Sequence, residues 1–163
     1  MNMLGIAFDS SSSGAAHAHD PTLVALSFVV AALASYCSLD MAERLRASEG
    51  KTRTFWLVMA GVTLGGGIWS MHFIAMTAFS STLEQGYDPM LTLASGVIAV
   101  LAVTIGLGSL GTRPGWRRLI GAGVFVGMGV VAMHYMGMAA MQIQGVIAYR
   151  FEIFSLSVLI ALT

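Results

Sequence analysis

The sequence predicts an all-α fold, a polytopic transmembrane helix bundle built from repeated helix pairs, with four full spans and the start of a fifth. Three observations carry this reading. Of the 163 residues, 56% are hydrophobic and 10% charged, with a mean hydropathy of +0.80, a balance outside the usual range of soluble domains. Apolar runs long enough to cross a bilayer recur along the chain, separated by short polar connectors. A stretch in the second run, Trp69-Ser70-Met71-His72-Phe73-Ile74-Ala75-Met76, returns in the fourth as Ala132-Met133-His134-Tyr135-Met136-Gly137-Met138.

Residues 1 to 21 form an expected extracytoplasmic tail with Asp9, Asp20, a run of serines, His17 and His19. It holds no lysine or arginine, whereas a signal peptide needs a basic n-region. The first span runs from Pro21 to about Asp40 and opens a membrane domain covering residues 22–163. Arg44, Arg46, Lys51 and Arg53 follow it at once. The second span covers roughly Phe55 to Phe79, and the loop from Ser80 to Pro89 carries Glu84 and Asp88 but no basic residue. A third span from about Met90 to Leu110 is followed by Arg113, Arg117 and Arg118. A fourth runs from about Leu119 to Met141, and the loop after it holds Arg150 alone. The fifth apolar stretch begins near Ile153 and reaches Thr163, short of the ~20 residues a helix needs to cross. The chain is therefore expected to be a fragment that stops before its third repeat.

Seven of the eight basic residues sit in the connectors after the first and third spans. By the positive-inside rule this puts the amino terminus and both histidine motifs in the outer half of the membrane. The zero net charge gives no footprint for nucleic acid. The lone cysteine, Cys37, excludes an internal disulfide and a multi-cysteine zinc site.

The repeat extends beyond the motif. An offset of 62 residues, His72 to His134, brings Gly61, Gly65, Gly67, Met71, His72 and Met76 onto Gly123, Gly127, Gly129, Met133, His134 and Met138. Asp20-Pro21 at the first span likewise resembles Asp88-Pro89 at the third, with Ser27 and Ala34 matching Ser95 and Ala102. Ser157, Ile160 and Ala161 match Ser95, Ile98 and Ala99 and start a third unit. At ~100° per residue, Gly61, Gly65, His72 and Met76 share one arc, as do their counterparts, while Met71 and Met133 point about 100° aside. A Gly-xxx-Gly pair on the histidine arc marks a face for close helix approach and turns imidazole and thioether toward the bundle interior.

Met133-His134-Tyr135 and Met71-His72-Phe73 resemble the Met-His-Tyr-Thr signature of the MHYT domain, a bacterial membrane-integral sensor module; the fourth position is Met136 or Ile74 here. His19-Asp20, and Tyr36 with Leu39-Asp40, resemble the opening segment of that family. The resemblance implies a bacterial inner-membrane, multi-pass sensory and signalling domain. It implies bound copper, a diatomic gas ligand such as oxygen, carbon monoxide or nitric oxide, and cytoplasmic cyclic-di-GMP output domains in a longer chain or a partner. A homo-oligomer is compatible with it.

Imidazole and thioether are the borderline and soft donors that select copper over hard cations. His72, Met76, His134 and Met138 are the expected ligands. Met71 and Met133 are second candidates, as is His19 if the tail folds over the outer mouth. The plainer alternative is a buried histidine that hydrogen-bonds across helices, worth ~1 kcal/mol, among methionines that fill space. Repetition of the same His with the same Met favours a site, since intramembrane ionisable groups mark function. A copper transporter or channel is the second reading, kept open by the deeper Met59 and Met128. Haem held by His72 and His134 is the third. No nucleophile next to a base lies in the spans, so no enzyme is expected.

Overall fold

The computed structural model describes residues 18–80, 86–111 and 114–142. The tail before Ala18, Glu84, Arg113 and the fifth apolar stretch lie outside the described residues. Four helices are long and apolar enough to cross a membrane: α1 (Pro21–Ala47), α2 (Gly50–Ala78), α3 (Pro89–Leu110) and α4 (Trp116–Ala139). Two-residue strands flank them at one end: β1 (Ala18–His19), β2 (Phe79–Ser80), β3 (Gly86–Tyr87) and β4 (Met141–Gln142). The protein is thus a multi-pass, all-α membrane protein.

α1 and α3 start where the chain says they should. Asp20 caps α1 by accepting from the Thr22 amide at 2.8 Å, and Asp88 caps α3 by accepting from the Leu91 amide at 2.9 Å. A proline follows each cap, at the first-turn position where a missing N–H costs nothing. α3 ends at Gly111, whose φ of +65° is a left-handed conformation that glycine adopts without strain.

Two boundaries differ from expectation. α1 continues past Asp40 to Ala47, and α2 begins at Gly50, so Arg44, Arg46, Lys51 and Arg53 lie on helical turns with Ser48 and Glu49 between them. Hydropathy marks the stretch that lies in lipid; the helix itself runs on through Ala, Glu, Arg and Leu, all good helix formers. Arg44 extends this helical end by pairing with Asp40 at 2.8 Å and lying 5.1 Å from the Trp56 ring centroid.

α1 packs on α2, α2 on α3 and α3 on α4. The contacts are made by small residues, with Ala60, Gly61, Gly65, Ser95, Ala99, Ala102, Gly106, Ala122 and Gly127 all buried. Large side chains such as Phe28, Leu39, Leu93 and Val97 face outward. This inversion of the soluble pattern is what lipid demands, because close backbone approach, not hydrophobic burial, holds helices together there.

The internal repeat is realised in three dimensions. β1 pairs antiparallel with β2, joining Ala18 to Ser80, and β3 pairs with β4 in the same way, joining Gly86 to Gln142. The Asp20 amide donates to the Ala78 carbonyl at 2.9 Å, and the Asp88 amide donates to the Ala140 carbonyl at 2.8 Å. Gly67 closes on Ala34 in the first pair as Gly129 closes on Ala102 in the second. The shared glycine arc is used unequally, however. Gly61 meets Thr104, and a Cβ at Gly65 would sit 2.6 Å from the Val100 Cα, whereas a Cβ at Gly123 would meet nothing within 4 Å among the described residues. α2 packs along both α1 and α3, while α4 packs along α3 and touches α2 at the histidines.

Candidate metal centre

The C-terminal half of α2 is pinned to α3 by an indole. Trp69 Nε1 donates to the Thr92 carbonyl and to Ser95 Oγ, both at 3.1 Å. Ser95 is 0% exposed, and its own hydroxyl donates to the Thr92 carbonyl at 2.7 Å. Gly96 leaves room for the ring, whose atoms lie 3.3 Å from where a Cβ would stand. A polar Ser-Thr step inside lipid therefore has a definite partner, and the turn carrying His72, three residues after Trp69, takes its place from it.

His72 and His134 come together from α2 and α4, with ring centroids 4.9 Å apart and planes at 66°. Gly137, one turn beyond His134, makes this possible: a Cβ there would lie 2.9 Å from His72 Nε2 and 3.3 Å from the Phe73 ring. Phe73 stands edge-on to His72 at 5.3 Å, to Tyr87 at 5.6 Å and tilted to Trp69 at 5.3 Å. This aromatic wall closes one side. Burial pushes the Tyr87 phenol above its ordinary pKa, which keeps it neutral.

Beside the two rings is a cavity of about 210 Å³ lined by Met71, His72, Met133 and His134, with Ile68 and Val131 in its apolar wall. Met133 is 1% exposed. His72 Nε2 is buried and has no hydrogen-bond partner among the described residues. An orphaned buried nitrogen costs about 1–3 kcal/mol, which a ligand at that nitrogen would relieve. Two imidazoles and two thioethers with no carboxylate in the wall form a soft-to-borderline donor set of the kind that suits copper, Cu(I) in particular. No three His, Cys, Asp or Glu among the described residues are placed to hold one metal ion, so a donor set of three or four here needs the methionine sulfurs.

The sequence-predicted residues divide in space. His72, His134, Met71 and Met133 line the cavity; Met76 and Met138 are half-buried and do not. Of the four methionines, Met71 and Met133 stand beside the cavity. His19 pairs through its backbone with Phe79, and its side chain lies outside the described residues. Trp69, Gly137 and Tyr87 were not singled out as site residues by sequence reasoning. A polar Ser95 inside an apolar run was the available signal for the indole's partner, and a glycine three residues after His134 the signal for close approach.

The Trp69 anchor gives a stability prediction. Trp69→Phe keeps the ring and removes the donor, and should lower stability by about 1 kcal/mol, read as an earlier midpoint in denaturant titration of the purified protein. No change in midpoint would mean that the indole bond does not hold α2 to α3.

Residues 65–123 and 127–163 match the family model described as the bacterial signalling protein N-terminal repeat, MHYT. The chain is 43% identical over 145 residues to the bifunctional diguanylate cyclase/cyclic di-GMP phosphodiesterase MucR of Pseudomonas aeruginosa, covering 88% of this chain and 21% of that protein. It is 42% identical to the cyclic di-GMP phosphodiesterase NbdA of the same organism, over 88% of this chain and 18% of NbdA. It is 30% identical to the signaling protein YkoW of Bacillus subtilis, again over 88% of this chain and 18% of the relative. The chain thus spans about a fifth of the length of these relatives. No solved structure matches it. With the motif, the paired helices and the matched segments in agreement, the chain belongs to the MHYT family of bacterial membrane signalling repeats.

Proposed function

We propose that this chain is a non-catalytic sensory input domain that holds copper between His72 and His134, with Met71 and Met133 as sulfur donors, and reports a diatomic gas. The observation that carries this reading is the pair of imidazoles 4.9 Å apart beside a cavity whose other donors are thioethers. Copper in such a set offers an open position to a small gas. A cavity of about 210 Å³ suits an ion and a diatomic ligand; haem calls for a pocket nearer the roughly 300–1,000 Å³ of small-molecule sites. Methionines gathered at one end favour sensing over a transport relay through the membrane depth.

The basic residues where α1 meets α2 and where α3 meets α4 support an inner-membrane protein with its amino terminus and its metal site outside. α2 then runs from the site to the cytoplasmic side as one helix of 29 residues, roughly 43 Å long. Because the two histidines belong to different helices, a change at the metal biases how α2 and α4 sit against each other. Trp69 and Gly67 pass that bias to α3 and α1, and so to output domains of the kind MucR and NbdA are named for.

The test is elemental analysis, optical spectroscopy and infrared spectroscopy of the purified chain with and without carbon monoxide. Stoichiometric copper, no Soret band and a new C–O stretch on gas addition are expected. A Soret band would replace copper by haem, and copper accumulation in sealed vesicles would replace sensing by transport.

A further inference from the structure

The α3–α4 pair carries a second cavity at the opposite, inner end. It measures about 600 Å³ and is lined by Ile105, Ser109, Arg118, Gly121, Ala122 and Phe125. Ile105 and Ser109 stand one turn apart on α3, and the other four form a stripe on α4, so the cavity is a groove running along both helices. Ile105 and Phe125 are 54% and 44% exposed, and among the described residues nothing lies within 4 Å of the Gly121 Cβ position. The groove is apolar along its length and open on the side that faces lipid.

Its inner end is cationic without compensation. Arg118 has no carboxylate within salt-bridge distance among the described residues, and from Pro89 to Met141 the sequence holds Arg113, Arg117 and Arg118 with no Asp or Glu. The α1–α2 end is different, because Arg44, Arg46, Lys51 and Arg53 share it with Asp40, Glu43 and Glu49. Ser109 already donates its hydroxyl to the Gly106 carbonyl at 2.7 Å, which leaves the guanidinium as the side-chain donor of the groove. Gly115 gives α4 no side-chain cap, so its first-turn amides add positive potential at the same end. Trp116, 74% exposed, stands where aromatic side chains sit at the headgroup level.

We infer that this groove is a binding site for an anionic phospholipid of the inner leaflet, its phosphate on Arg118 and an acyl chain along Ile105, Ala122 and Phe125. Charge and shape argue together: a basic pocket between transmembrane helices on the cytoplasmic side matches a phosphate headgroup, and the apolar channel beyond it matches the chain that a free phosphate lacks. Lipid bound there would bridge α3 and α4 at the end away from the histidines.

The test is native mass spectrometry of the full chain released from membranes of equimolar phosphatidylglycerol and phosphatidylcholine. The protein should retain phosphatidylglycerol in preference. Arg118→Gln should lower that occupancy about fivefold, the equivalent of ~1 kcal/mol for one basic residue at the surface. Arg117→Gln removes the same charge outside the groove and should retain the lipid, and Gly121→Leu should expel it by filling the groove without changing charge. Equal retention of the two lipids, equal loss in the Arg117 and Arg118 variants, or full occupancy in Gly121→Leu overturns the inference. So does displacement by inorganic phosphate alone, and so does a second copy of the chain found seated there by crosslinking through residue 121.

Discussion

Replacing His72 and His134 together with alanine should strip copper from the purified protein, with an affinity loss larger than the roughly 10–100-fold that changes to outer-shell partners of a metal cost. The apo protein should lose little stability. His72 Nε2 is buried without a partner among the described residues, so removing the ring also removes an unmet polar group, which offsets part of the packing lost with the two rings. If His72 instead served to bind another helix, the same substitution would lower the denaturation midpoint and leave any copper in place. The methionines sharpen the test. Met71→Leu with Met133→Leu, swaps of similar volume that cost less than about 1.5 kcal/mol in packing, should weaken copper binding. Met76→Leu with Met138→Leu should leave it nearly unchanged. Equal copper content in the double-histidine variant and the parent would remove the site assignment, and a larger loss from the second methionine pair would return the sulfur role to Met76 and Met138.

The spans and the histidine pair were legible because both are written redundantly. Twenty or so apolar residues in a row need only one reading, and His72 recurs as His134 with glycines and methionines at matching positions. Helix ends were less legible, since Met41 to Ala47 has strong helix propensity but little hydropathy. The strands left no pattern, because two residues are too short to show an alternation. They follow from the repeat itself, in which Asp20 reaches Ala78 and Asp88 reaches Ala140.

Which sulfurs accompany the imidazoles was legible only as a direction on an isolated helix. About 40° separates His72 from Met76 and about 100° separates it from Met71, which points to Met76 when the partner helix is unknown. The structure supplies the partner. α4 meets the His72 ring through Gly137, and the space beside the rings opens toward Met71 and Met133. Angular arithmetic says what faces what on one helix; the position of the second decides what encloses a cavity. The Trp69 bond to Ser95 escaped for a related reason, since the matching position on α4 is Val131 and the repeat gave no second copy to notice.

That same inequality between repeats yields the second large effect. Gly61 and Gly123 are equivalent in sequence, and comparison of the two repeats alone would predict the same response to substitution. Gly61→Leu should disrupt the fold, because its Cβ would collide with Thr104, and Gly65→Leu should do the same against the Val100 backbone at 2.6 Å. Overpacking of a tight contact costs about 1–3 kcal/mol when neighbours can shift and more when they cannot; at Gly65 the obstacle is main chain, which has nowhere to go. Separation of α2 from α3 would also break the Trp69 bonds and draw His72 away from His134, so copper and stability should be lost together. At Gly123 an added Cβ meets nothing within 4 Å among the described residues, so Gly123→Leu should be tolerated within about 0.5 kcal/mol, as an exposed substitution is. Helical content, denaturation midpoint and metal content measured on the three variants check this. A Gly123 variant as damaged as the Gly61 variant would show that the α4 face is covered in the membrane, and a stable Gly65→Leu protein would overturn the close α2–α3 contact from which the placement of both histidines follows.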